Sequence, residues 1–218
     1  MPKQDTATKI LEAARDCLLA DGYAAMSTRK VAEQAGVPLS QIHYHFGSKD
    51  ALVAAVYEYR MERVNQRRLE MLAQIDASQN QNDVRTIVAA IVQPIADEIR
   101  DSAGGSHYIR FMAQLIGHPR VSLLDLWNSR FGAGLSQVIA LLRAALPEVP
   151  PMIIGQRFGL MWEQVIHALA DRERLSAGGE STRMVDPDLF VSNLIDTVAG
   201  GLSAPLSTDT RAALQDPD

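Results

Sequence analysis

The chain has 218 residues, 47% hydrophobic and 22% charged, with a formal net charge of -5 and a single cysteine, Cys17. That length suits one or two domains with a sizeable core. One cysteine excludes an internal disulfide and implies a reduced setting. No apolar run reaches the roughly 20 residues of a membrane span, and the polar start MPKQDTATK lacks a signal peptide's apolar segment. A cytoplasmic protein with no membrane partner is therefore expected.

Apolar residues recur at helical spacing throughout and no alternating strand is evident, so the expected fold is all-α with about nine helices. The first helix runs from Thr6 to Asp21, burying Ile10, Ala14, Cys17 and Leu18, and Gly22 ends it. Cys17, in the apolar run EAARDCLLA, reads as a packed thiol rather than a nucleophile. Ser27 caps a short second helix, TRKVAEQA. Gly36 supplies a turn of positive φ, Pro38 to Phe46 form a third helix, Gly47 breaks it, and Ser48 caps a fourth reaching about Ile75. The polar stretch DASQNQND follows as a linker. Later helices cover Val84 to Arg100, Ser106 to Ile116, Arg120 to Leu146, Met152 to Glu173 and Pro187 to Leu202. RLSAGGESTRMVD reads as a flexible loop, and the tail after Pro205 as poorly ordered or a short surface helix.

The third helix places His43, Tyr44 and His45 side by side. Residues two apart on a helix point about 200° away from each other, so His43 and His45 do not share a metal. His107, His118 and His167 are isolated in sequence, and no metal is expected. No nucleophile–base pair, phosphate-cradling loop or catalytic signature is visible, so neither enzymatic activity nor a cofactor is expected.

The two short helices joined by Ala35, Gly36 and Val37 have the dimensions of a helix-turn-helix. Val31, Ala32, Val37, Ile42 and Phe46 are spaced to be buried between them. Leu39, Ser40, Gln41, His43, Tyr44 and His45 remain on the outward side, where hydroxyls, an amide and imidazoles can read base edges and hold phosphates. Lys49 sits in the first turn of the fourth helix, where the dipole disfavours a cation and an external phosphate would relieve the mismatch. Ser27, Thr28 and Arg29 offer a second anion site. The basic residues Arg29, Lys30, Lys49, Arg60, Arg63, Arg67 and Arg68 all lie in the first third of this acidic chain.

From about Thr6 to Val56 the sequence resembles the TetR family of bacterial transcription regulators, through ILEAA, STRKVAEQAGV and IHYHFGSKDAL and their spacing. The resemblance implies a DNA-binding helix-turn-helix domain over residues 1–50 and a helical ligand-binding and dimerisation domain over 51–218. It implies an Ω-shaped homodimer whose recognition helices enter successive major grooves. By position, Leu39, Ser40 and Gln41 would face bases. His43, His45 and Lys49 would hold phosphates, with Thr28 and Arg29 on the flank. The chain departs from the common pattern at His43, where tyrosine is usual, and at Pro38 and Leu39, which replace a more polar opening.

In the second domain Tyr108, Phe111, Met112, Leu115, Trp127, Phe131 and Met161 are spaced to face inward. As a pocket they suit an apolar or aromatic effector, with Arg110, Gln114, Asn128, Gln164 and His167 as polar candidates. Plain core is the alternative. The last two long helices carry stripes for a dimer interface: Phe158, Trp162, Val165 and Leu169 on one, Phe190, Leu194, Val198 and Gly201 on the other. The expected function is a ligand-responsive regulator, a repressor that binds a near-palindromic operator as a homodimer and is released when an effector tilts the fourth helix. The alternative is a helical small-molecule-binding or interaction protein with a degenerate DNA-binding motif.

Overall fold

The computed structural model describes residues 5–77, 83–101, 109, 110, 112, 113, 132–176 and 186–215. Among these the helices are α1 (Thr6–Ala25), α2 (Thr28–Ala35), α3 (Leu39–Phe46), α4 (Lys49–Ala77), α5 (Val84–Asp101), α6 (Gly132–Ala145), α7 (Pro151–Ala170), α8 (Arg172–Ser176), α9 (Pro187–Ser203) and α10 (Thr208–Gln215). No strand occurs among the described residues. The chain divides into two compact units, one of Met1–Arg67 with Glu98–Gly132, the other of Arg68–Asp97 with Ala133–Asp218.

In the first unit, α1 buries Ile10, Ala13, Ala14, Cys17 and Leu18, and it breaks where glycine was expected to end it. Gly22 has φ 73 and ψ 171, and the helical turn that follows lies beyond that break. Helices of eight residues are not stable alone in water. α2 and α3 persist because α1 contacts both and they contact each other. Val31, Ala32 and Ile42 are fully buried there, while Val37 and Phe46 are only half-buried. Burying Ile42 alone contributes roughly 2 kcal/mol relative to leaving it in water. The start of α4 adds Leu52, Val53, Val56 and Tyr57 to the buried set.

In the second unit, α7 and α9 pack together. α7 buries Ile154, Met161, Val165 and Ile166, and α9 buries Leu194, Ile195, Val198 and Leu202. Arg157 Nη1 donates to the Leu202 carbonyl at 2.6 Å, satisfying one of the orphan carbonyls at the end of α9. Arg85 joins α5 to α9 through Asp196 at 2.6 Å and Ser192 at 3.2 Å. The guanidinium of the buried Arg68 lies 6.0 Å from the Trp162 ring centroid.

Several boundaries differ from expectation. α7 stops at Ala170, and Asp171 separates it from the short α8. Arg174 to Ser176, expected in a loop, belong to α8, where Ser176 is buried. The tail forms α10. Of the helices expected over 106–116 and 120–146, only Ile109, Arg110, Met112, Ala113, the residues of α6 and Leu146 lie among those described, all helical except Leu146, which lies just past the end of α6. Among the described residues no single helix is long and apolar enough to cross a membrane.

Candidate nucleic-acid interface

Three local devices build the α2–α3 unit. At its entrance the Ser27 hydroxyl accepts from the Lys30 N–H at 3.2 Å, so that oxygen already serves as the helix cap. Between the helices Gly36 adopts φ 65 and ψ 35, and the Val37 N–H donates to Ala32 O at 3.0 Å. That left-handed closure suits glycine and turns the chain sharply. At the exit Gly47 has φ 74 and ψ -64, and the Ser48 N–H donates to Phe46 O at 2.9 Å. Those angles and the i to i+2 bond make a γ-turn of the rare, strained hand. The Ser48 hydroxyl then accepts from the Ala51 N–H at 3.1 Å and starts α4.

Ile42 anchors α3 inward, which leaves Ser40, His43, Tyr44 and His45 exposed and Leu39 and Gln41 half-buried. Tyr44 is 81% exposed, extreme for so large an aromatic side chain. Its ring meets His45 edge-on at 5.0 Å, and His45 lies 6.0 Å from Phe46. His43 turns back along the helix, its Nδ1 3.0 Å from the Gly47 carbonyl oxygen. The surface thus presents a hydroxyl, two imidazoles and a phenol, with an amide at its edge. Among the described residues no three His, Cys, Asp or Glu side chains converge on a point.

Charge flanks this surface. Arg29 is exposed and Thr28 half-buried at the start of α2. Lys30 pairs with Asp21 at 2.5 Å, and that hydrogen bond holds its ammonium above the ordinary lysine value. The Lys49 ammonium sits 4.4 Å from the Tyr23 ring centroid, and the Tyr23 hydroxyl donates to the Asp50 carboxylate. The chain therefore compensates part of the Lys49 mismatch at the start of α4 itself, through Asp50 and the π face of Tyr23. Sequence reasoning passed over Tyr23, Asp50 and Asp21. The available signal was an aromatic directly after the helix-breaking Gly22, which brings the ring out of line with α1. Cys17 is buried and donates to Gln34 Oε1 at 3.1 Å. Burial pushes its thiol up, Lys30 opposes that, and Asp21 and Asp16 push it further up.

The residues expected to line an effector pocket are not brought together among the described residues. Tyr108, Phe111, Leu115, Gln114, Trp127, Asn128 and Phe131 lie outside them. Met112 and Met161 are buried, in different compact units. Gln164 and His167 are exposed, with His167 Nε2 3.5 Å from Glu163. Arg110 is exposed. Of the residues expected on a dimer interface, Phe158, Trp162, Val165, Leu169, Leu194 and Val198 are already buried within the one chain. A side chain so covered has little surface left to bury against a second copy. Phe190 is half-buried and Gly201 exposed. The apolar side chains that remain in water on these helices are Met152 and Leu160 on α7 and Leu189 on α9, at 60%, 71% and 61% exposure.

Residues 10–56 match the family described as bacterial regulatory proteins of the tetR family, and residues 89–201 match the tetracyclin repressor-like C-terminal domain. No curated protein sequence matches the chain. Solved structures share its fold at low identity. A protein of Shewanella sp. PV-4 assigned to the TetR family of transcription regulators has a TM-score of 0.61 at 16% identity, over 90% of this chain and 97% of its own. The transcriptional regulator FadR of Bacillus subtilis, in complex with stearoyl-CoA, has a TM-score of 0.59 at 13% identity, over 92% and 99%. A TetR transcription regulator of Haloarcula marismortui has a TM-score of 0.57 at 14% identity, over 94% and 100%.

Proposed function

The chain belongs to the TetR family of bacterial transcription regulators, which bind DNA and are not enzymes, and from that premise we propose that it is a repressor released from its operator by a small molecule. The observation that carries the reading is the exposed face of α3, held out by the buried Ile42 and fixed at both ends by glycine turns. Ser40, Gln41 and Tyr44 meet base edges in the major groove. Thr28, Arg29, His45 and Lys49 hold the phosphates on either side, and Leu39 contacts a thymine methyl or sugar.

Two copies act together on a near-palindromic operator, with recognition helices about 34–36 Å apart or a multiple of that. The copies meet through the outer sides of α7 and α9. There Met152 and Leu160 stand in water on the helix that also exposes Gly155 and Gly159, and Leu189 on the helix that exposes Gly200 and Gly201. Large apolar groups flanked by glycines suit close helix approach, and a symmetric pair would bury the same patch on both subunits. The effector is apolar or aromatic. It acts by binding one dimer geometry better than the other, so that the recognition helices lose their spacing. The protein works in the cytoplasm, where its DNA is.

The test is fluorescence anisotropy of the full-length protein with DNA from upstream of its own gene and with a scrambled duplex, at fixed salt. Preference for one duplex, lost in Gln41→Ala and Lys49→Ala, is the expected result. Equal and salt-sensitive binding to every duplex would sink the operator claim, because phosphate contacts alone give that behaviour. Since Bacillus subtilis FadR was crystallised with stearoyl-CoA, acyl-CoA thioesters head the effector screen.

A further inference from the structure

The hydrogen bond that His43 makes to its own helix end decides what its other ring nitrogen can do. Nδ1 lies 3.0 Å from the Gly47 carbonyl oxygen. A carbonyl oxygen only accepts, so the proton of the neutral ring sits on Nδ1. Nε2 of that tautomer is a lone-pair acceptor. The Gly47 carbonyl does not swing freely, because the γ-turn closed by Ser48 N–H and Phe46 O orients the peptide that carries it. The tautomer is therefore set by the backbone of the turn.

A phosphate oxygen is also an acceptor, so the neutral His43 ring held in this way cannot donate to it. In the major groove the donors are the N6 amino group of adenine and the N4 amino group of cytosine. His43 is exposed on the same helix as Ser40, three residues apart and so neighbouring on the surface. We propose that His43 is a specificity-determining residue whose Nε2 accepts a hydrogen bond from the exocyclic amino group of an adenine or cytosine in each operator half-site. The assignment rests on the operator-binding reading above and replaces the phosphate role expected for this position. Gly47 is a positioning residue, acting through His43.

The experiment selects duplexes from a randomised pool with the full-length protein at pH 8. Affinities are then measured on the recovered duplex and on its single base-pair substitutions, for wild type and His43→Ala. Wild type is expected to recover a two-fold related site with one base pair per half-site fixed in orientation, so that exchanging its two bases, which moves the amino donor to the other strand, weakens binding. His43→Ala is expected to bind that site about tenfold more weakly and to become indifferent to that base pair. Its non-specific binding, salt slope and melting temperature should stay unchanged. A loss shared by all duplexes, with the salt slope reduced by about one per subunit, would assign His43 to a phosphate and overturn the proposal. An unaltered preference at every position in His43→Ala would overturn it too. If wild type recovers no sequence, the operator reading fails first and takes the proposal with it, and the wild-type selection alone reports that outcome.

Discussion

The ammonium of Lys49 lies 4.4 Å from the ring centroid of Tyr23, whose hydroxyl donates to the carboxylate of Asp50. One ring thus holds two oppositely charged neighbours at the start of α4, from beyond the break at Gly22. Tyr23→Leu removes both contacts and is expected to lower stability by about 1 kcal/mol and to weaken operator binding several-fold. Tyr23→Phe keeps the π face under Lys49 and should retain most of the affinity. Urea unfolding and anisotropy at one salt concentration check this. Unchanged binding by Tyr23→Leu, beside a clear loss in Lys49→Ala, would show that the ring does not position the lysine.

Gly36 and Gly47 separate two causes of glycine preference. No atom lies within 4 Å of a Cβ built at either position, so crowding is not the obstacle. The backbone is. Gly36 sits in the left-handed well, and alanine there is expected to cost about 1 kcal/mol. Gly47 lies outside that well, and alanine is expected to cost roughly 2–3 kcal/mol. Gly47→Ala should also reproduce the altered base preference of His43→Ala, which Gly36→Ala should not. Thermal or urea midpoints showing Gly47→Ala as the more stable variant would refute the γ-turn.

Cys17 is expected to resist alkylation in the folded protein at pH 8 and to react rapidly once urea unfolds the chain. Burial shields it and keeps it protonated, and only the thiolate reacts. The folded value lies above the unfolded one, so the unfolded state loses its proton first as pH rises. Stability should therefore fall as pH climbs through and beyond the ordinary thiol range, and Cys17→Ala should abolish that component. Equal labelling rates in the folded and unfolded protein would contradict the packing.

Leu160→Arg tests the outer face of α7. The leucine is 71% exposed, so the charge should leave the subunit folded while converting a dimer to a monomer and abolishing operator binding. Val165→Arg, five residues on and wholly buried, should instead unfold the protein. Sedimentation and circular dichroism distinguish the two. A folded, fully dimeric Leu160→Arg would move the interface elsewhere.

Much of the first unit was legible because its punctuation is local. Gly36 and Gly47 end helices by a backbone need, and Ser27 and Ser48 start them by side-chain caps, none of which their neighbours alter, while Gly22 makes a break inside α1 rather than its end. The stripes on α7 and α9 were less legible. Apolar spacing identifies a buried face but not which chain buries it, and Trp162, Val165 and Leu194, expected on a dimer interface, are covered within their own chain. Glycines 155 and 159 on the outer side of α7 gave no apolar signal at all. The Tyr23 contacts join residues 27 apart in sequence, and no periodicity reports such a pairing.

The side chains that make α3 useful are not the ones that make it fold. Ile42, Val31 and Ala32 carry the packing, while Ser40, Tyr44 and His45 are exposed. Substitutions at such surface positions usually change stability by less than about 0.5 kcal/mol. Operator preference can therefore drift from one descendant to the next without crossing the stability threshold that removes most mutants. His43 is tied to that scaffold through the Gly47 carbonyl, so a change in the turn reaches the operator through this one side chain.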